Sequence, residues 1–142
     1  MSVDKQVEMA CDIIKNDPKL ANGYHGLGFS QGSQFLRAVA QTCPGMINLV
    51  SLDGQHQGVF GFPGCNPDRF ELCETLRDLL ALAYLEPIQE TLVQAQYWHD
   101  PTQPDLHMRT SKFIGPMNNE VREGTPHNQA FKDNLKKLEK MG

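Results

Sequence analysis

A serine between two glycines, in Gly28-Phe29-Ser30-Gln31-Gly32, has the G-x-S-x-G spacing of a nucleophile elbow. In that device a strand ends, the chain turns sharply and a helix starts at once, so the serine hydroxyl stands clear of the sheet. The flanking glycines are expected because side chains there would collide across so tight a turn. The helix that follows aims its free N–H groups at the reacting centre, and the backbone N–H of Gln31 is the expected donor to an oxyanion. The chemistry implied is acyl transfer through a covalent serine intermediate.

A serine needs a base, and the base needs an orienting carboxylate, in the chain order Ser, acid, His for this kind of fold. The histidines are His25, His56, His99, His107 and His127. His25 precedes Ser30 within the expected strand, His56 comes too soon for an acid to intervene, and His99 with Asp100 lies at a helix end. His127 has the right order and Asp100 or Asp105 for a partner, but no strand precedes it. The residues therefore offer a nucleophile and no evident base; each histidine reads as an ordinary surface or hydrogen-bonding residue. Neither a C-x-x-C nor a Cys/His zinc spacing occurs, so no metal and no cofactor is expected.

The elements that must position the serine follow from periodicity. Val3, Val7, Ala10, Cys11 and Ile14 recur at helical steps and predict an amphipathic helix from about Val3 to Lys15, stopped by Asn16-Asp17-Pro18. Tyr24 to Phe29 is a short mixed-apolar strand entered through the Asn22-Gly23 turn. Phe35, Leu36, Val39 and Ala40 then fall at helical spacing, and Cys43-Pro44-Gly45 closes that helix. Met46 to Leu52 reads as the next parallel strand. This helix, strand, elbow, helix, strand order is half of a doubly wound α/β unit.

Asp53 to Gly64 is a long loop rich in glycine and aromatics, leaving the end of a strand where open α/β sheets bind ligands. Cys65 and Cys73 flank a short loop. Leu72, Leu76, Leu79, Leu80 and Ala83 form a helical stripe that Pro87 interrupts, and Ile88, Leu92, Ala95 and Tyr97 begin another helix, ended by Trp98-His99-Asp100-Pro101. Two successive helices without a strand make residues 54–101 a substrate-side loop and helical cap region. Residues 101–127 are polar and proline-spotted and read as an irregular excursion. Phe131, Leu135 and Leu138 mark a final helix.

The chain has 142 residues, enough for one domain with a modest core, and residues 1–142 read as a single, incomplete domain. A net charge of −4 without charge runs argues against nucleic acid and membrane surfaces. No apolar run approaches the roughly 20 residues of a transmembrane segment, and Met1-Ser2-Val3-Asp4-Lys5 has no signal-peptide h-region. The four cysteines allow either two disulfides in an oxidising compartment or four buried thiols. Two strands with flanking helices form only a partial α/β-hydrolase fold.

The segments Gly26 to Gly32 with Gln34 to Gln41, Met46 to Leu49, Gly54 to Gly61, Leu92 to Ala95 and Tyr97 to Pro101 resemble the palmitoyl-protein thioesterases, specifically the first, lysosomal type. The likeness is close through Pro101 and looser from Thr102 to Gly142. It implies an α/β-hydrolase that removes long-chain fatty acyl groups from cysteine thioesters during lysosomal degradation, with S-palmitoylated proteins or peptides, or other acyl thioesters, as partners, and a lysosomal or secreted location. Ser30 matches the nucleophile and Gln31 the oxyanion donor. The cysteines match the family's pairs Cys11–Cys43 and Cys65–Cys73. The loop at Val59, Phe60 and Phe62 and the capping helices are the candidate walls of an acyl groove. The family's signal peptide, Gly-Met-Gly oxyanion loop, catalytic Asp and catalytic His have no counterpart here and are expected before Met1 or after Gly142; its Asn-x-Ser/Thr sequons are also missing. This implies a chain inactive by itself. The alternatives are a serine esterase or lipase of other acyl specificity, and a truncated, non-catalytic form that binds acyl chains or partners.

Overall fold

A computed structural model describes residues 1–61, 82–121 and 123–139. They fall into two compact units: Val3–His56 with Pro126–Gly142, and Gln57–Thr125.

The first unit is built on a βαβ motif. Helix α1 (Val3–Asn16) buries Val3 and Val7. A 3-10 turn at Pro18–Leu20 follows, begun by Asp17, whose side chain accepts from the Lys19 N–H. Strand β1 (Tyr24–Phe29) leads into helix α2 (Gln31–Thr42), and strand β2 (Met46–Leu52) returns parallel to β1. The register sets His25 beside Asn48, Leu27 beside Val50 and Phe29 beside Leu52. Helix α2 packs on both strands, on α1 and on the last helix, α7 (Gln129–Glu139). Its core is Ala38, Val39 and Ala40. Period-two alternation turns Gly26 and Gly28 inward. On the opposite face Leu27 and Phe29 are 68% and 69% exposed and Val50 and Leu52 each 49%. Cys11 and Cys43 form a disulfide, with a Cα–Cα distance of 5.7 Å, tying α1 to the end of α2.

Helix α1, both strands and the end of α2 agree with the sequence reading to within one residue, and the last helix contains the Phe131, Leu135 and Leu138 that marked it. A parallel pair flanked by helices is the partial α/β arrangement expected of it.

The second unit contains helices α3 (Glu86–Thr91), α4 (Val93–Gln96), α5 (Pro104–Thr110) and α6 (Ile114–Met117). Pro87 does not interrupt a helix but sits in the first turn of α3, where its missing N–H costs nothing. The helix expected from Ile88 onward breaks at Leu92, which caps both α3 and α4. Residues 101–127 are not wholly irregular, since α5 and α6 lie within them. The core here is Ala83, Tyr84, Ala95 and Trp98, with Ile88 and Leu92 packed against it. Gln89 is fully buried and stitches the unit together. Its amide donates to the Ala83 and Ala95 carbonyls at 2.8 and 2.6 Å and accepts from the Lys112 N–H at 3.0 Å. Most of the Leu72–Ala83 stripe, the Cys65–Cys73 pair and Phe62 lie outside the described residues.

Candidate functional site

Ser30 stands between β1 and α2 with φ 52° and ψ −121°, a conformation that costs a non-glycine residue about 1–3 kcal/mol. Such strain at a strand-to-helix junction is what an elbow requires. The backbone on either side is held by the end of β2. The Ser30 N–H donates to the Leu52 carbonyl at 2.9 Å, and the Ser33 hydroxyl donates to the same oxygen at 3.2 Å. The Ser33 N–H closes the first turn on the Ser30 carbonyl at 3.0 Å.

The two motif glycines differ. A Cβ on Gly28 would lie 2.6 Å from Ser33 Cα and 2.7 Å from both Gly32 O and Ser33 N, so strand and helix meet there with no room for a side chain. A Cβ on Gly32 would meet nothing within 4 Å. The expectation that both glycines relieve a collision therefore holds for Gly28 and fails for Gly32, whose Cα faces open space.

The loop leaving β2 is clamped to α2 by residues that periodicity did not single out. The buried Gln34 side chain donates to the Gln55 carbonyl, and Arg37 Nη1 donates to the His56 carbonyl at 3.3 Å. Asp53 turns the chain with φ 52°. Gly54 follows where a Cβ would lie 2.3 Å from Ser51 Oγ, 2.5 Å from His56 Nε2 and 2.9 Å from Ser33 Cβ. His56 Nε2 is bonded to Ser51 Oγ at 2.7 Å. Burial first, and the Arg37 charge second, push the His56 imidazole below its ordinary value. Among the described residues no histidine is hydrogen-bonded to Ser30. Gln31 begins α2, and its side chain is exposed.

Val59 and Phe60 belong to the second unit. Val59 forms an isolated parallel bridge with Trp98, its N–H donating to Tyr97 O and its carbonyl accepting from the His99 N–H, both at 2.9 Å. Phe60 is 56% exposed and leans on the Trp98 ring at a centroid distance of 5.3 Å. A groove of about 890 Å³ lies in the first unit at the other end of the sheet from Ser30, lined by Cys11, Leu20, Ala21, Cys43, Pro44 and Gly45 among others. Its position before β1 and β2, not after them, separates it from the elbow.

A set of side chains that no sequence spacing announced meets in the second unit. His99, His107 and Glu120 bring one ligand-type atom each to within 4.8 Å of one another. His107 is 1% exposed; burial and then the neighbouring His99 hold its imidazole below the ordinary value, against the opposing pull of Glu120.

The family described as "Palmitoyl protein thioesterase" matches over residues 1–142. Palmitoyl-protein thioesterase 1 of Caenorhabditis elegans is 50% identical over 143 residues, 99% of this chain and 46% of the relative. Palmitoyl-protein thioesterase 3 of Dictyostelium discoideum is 35% identical over 142 residues, covering 99% of this chain and 46% of the relative. The Lysosomal thioesterase PPT2 homolog of Drosophila melanogaster is 29% identical over 143 residues, 96% of this chain and 47% of the relative. The chain thus spans about half the length of these curated relatives. No helix among the described residues is long and apolar enough to cross a membrane.

Proposed function

The chain belongs to the palmitoyl protein thioesterase family, and from that premise we propose that it carries the nucleophile of a serine thioesterase acting on long-chain acyl groups linked to cysteine. The observation that carries this reading is the conformation of Ser30, at positive φ on a strand-to-helix junction with Gly28 closed against the helix. The Ser30 hydroxyl attacks the thioester carbonyl as a general base takes its proton, which then passes to the departing sulfur. The oxyanion is met by the Gln31 N–H at the start of α2, the thiolate departs, and water releases the fatty acid from the acyl-serine. Val59, Phe60 and Phe62 are proposed acyl contacts on their apolar character and their closeness in the sequence. A second disulfide, Cys65–Cys73, is proposed beside Cys11–Cys43. The observed disulfide suits an oxidising compartment, and the Drosophila relative is named as lysosomal; a lysosomal or secreted location fits both.

The 142 residues by themselves are proposed not to turn over a thioester. A serine without an oriented base loses of order 10³-fold or more in rate, and His56 is engaged by Ser51 instead. The test is covalent labelling of the chain with a long-chain alkyl fluorophosphonate, read by intact mass and peptide mapping. The expected result is a slow adduct on Ser30 that Ser30→Ala abolishes. An adduct at another residue, or labelling unchanged in Ser30→Ala, would sink the assignment of the nucleophile. Palmitoyl-thioester turnover by the chain would overturn its inactivity alone. A phosphonate carrying a short alkyl group labelling as fast as the long one would favour the esterase alternative.

A further inference from the structure

We propose that His99, His107 and Glu120 form a binding site for one divalent transition-metal ion of the zinc type, independent of the serine chemistry. All three residues lie in the second unit, on three different segments: the Trp98–Asp100 stretch, helix α5 and the turn after α6. Glu120 Oε2 is 3.2 Å from His107 Nε2, the separation expected of two ligands that share a cation at about 2.0–2.1 Å from each.

The Gln57 carbonyl sets the tautomer that His99 needs. His99 Nδ1 lies 2.6 Å from the Gln57 carbonyl, which accepts but cannot donate, so Nδ1 carries the hydrogen and Nε2 keeps its lone pair. A backbone carbonyl on the far nitrogen is the usual support of a metal-binding histidine. The His99 main chain is itself fixed by the Val59 bridge. His107 is buried, with the Tyr84 ring edge-on to it at 6.2 Å. Glu120 is anchored through its N–H on the Gly115 carbonyl at 2.8 Å, and its side chain is 30% exposed, which leaves a path for an ion. Two imidazoles and one carboxylate make a set of borderline softness that selects zinc-like ions over magnesium or calcium, which require more oxygen ligands. Three protein ligands leave a fourth position open.

The two imidazoles stack at 3.9 Å with planes 13° apart. Parallel rings direct their in-plane lone pairs side by side, not to one point. Binding therefore tips the planes, and His99, the more exposed ring, is the one that turns. The bare alternative is a buried histidine–carboxylate hydrogen bond under a stacked ring.

The test is titration of the 142-residue chain with Zn²⁺ by calorimetry and with Co²⁺ by visible absorption. One ion per chain is expected, with the intense bands of four-coordinate Co²⁺ and a shift of the His99 ring signals in NMR. Glu120→Gln and His99→Gln, both at accessible positions, weaken binding by about 10-fold or more while leaving the circular dichroism unchanged. His25→Asn and His127→Asn, outside the cluster, leave binding as it was. Absence of one-to-one binding, equal affinity in Glu120→Gln and His99→Gln, or loss of binding in His25→Asn would each overturn the proposal.

Discussion

Substituting alanine for the two glycines of Gly28-x-Ser30-x-Gly32 separates packing from mere motif membership. A Cβ at position 28 lies 2.6 Å from Ser33 Cα, and ordinary contact begins at 3.4 Å. Strand and helix must part by about 0.8 Å, and the atoms in the way are backbone of the first turn of α2, which cannot rotate aside. Overpacking of this kind costs about 1–3 kcal/mol, and the rigidity of the obstacle puts Gly28→Ala near the upper end. Gly32→Ala meets no atom, and a glycine-to-alanine change in a helix is worth up to about 1 kcal/mol of added stability. The two variants should therefore move in opposite directions.

Urea unfolding followed by far-UV circular dichroism measures both. With a slope of about 1–3 kcal/mol per molar urea, a loss of about 3 kcal/mol lowers the midpoint by roughly 1–3 M. Gly28→Ala also shifts Ser30. With Ser30 as the proposed nucleophile, a displacement approaching 1 Å costs about 100-fold, so phosphonate labelling of Ser30 should slow by that order, whereas Gly32→Ala should label at the original rate. If Gly28→Ala were within about 0.5 kcal/mol of the parent, or if both variants were equally damaging, the close strand–helix contact would not be what fixes the elbow.

Gln89→Ala strips the partner from two buried carbonyls and one N–H in the second unit. At about 1–3 kcal/mol for each buried group left unsatisfied, the loss should exceed about 3 kcal/mol in urea unfolding; a loss below 1 kcal/mol would show that Gln89 is not the hub. The depressed His56 imidazole has a signed consequence for pH. Above its ordinary value of 6.5 both folded and unfolded chains hold it neutral; as pH falls below that, the unfolded chain takes the proton first, so this contribution to stability declines toward the lowered folded value. Proton NMR of the ring should give a midpoint below 6.5 that rises in Arg37→Met, and a midpoint at or above 6.5 in the parent would contradict the burial of that ring.

Much of the first unit was legible because its signals are local and repeated. Val3 and Val7 on α1, the apolar run of β2 and the Pro44-Gly45 stop each announce themselves within one element. The second unit was less so. Helices α5 and α6 have seven and four residues, too few turns for a period to emerge from a polar stretch. The burial of Gln89 and His107 runs against residue type and follows only from the partners that surround them. Gly32 was assigned a packing role from its place in a motif, and only coordinates could separate it from Gly28. The clamp of Gln34 and Arg37 on Gln55 and His56 spans about twenty positions and leaves no periodic trace.

That clamp bears on how a five-residue pattern becomes a rigid device. The strain at Ser30 opposes the fold by about 1–3 kcal/mol, so the motif cannot hold its own shape. The restraint arrives from β2, whose last carbonyl, Leu52 O, accepts from both the Ser30 N–H and the Ser33 hydroxyl and so fixes each side of the turn. Leu52 keeps that position because the next residues cannot drift away: Asp53 turns at positive φ, Gly54 lies close against the Ser51, His56 and Ser33 side chains, and the following two carbonyls are taken by α2. Each such bond contributes about 0.5–1.5 kcal/mol net, enough for the four together to offset the strain. The conformation of Ser30 is thus a property of the β1–α2–β2 unit, and the same five residues in a chain without β2 would relax out of it.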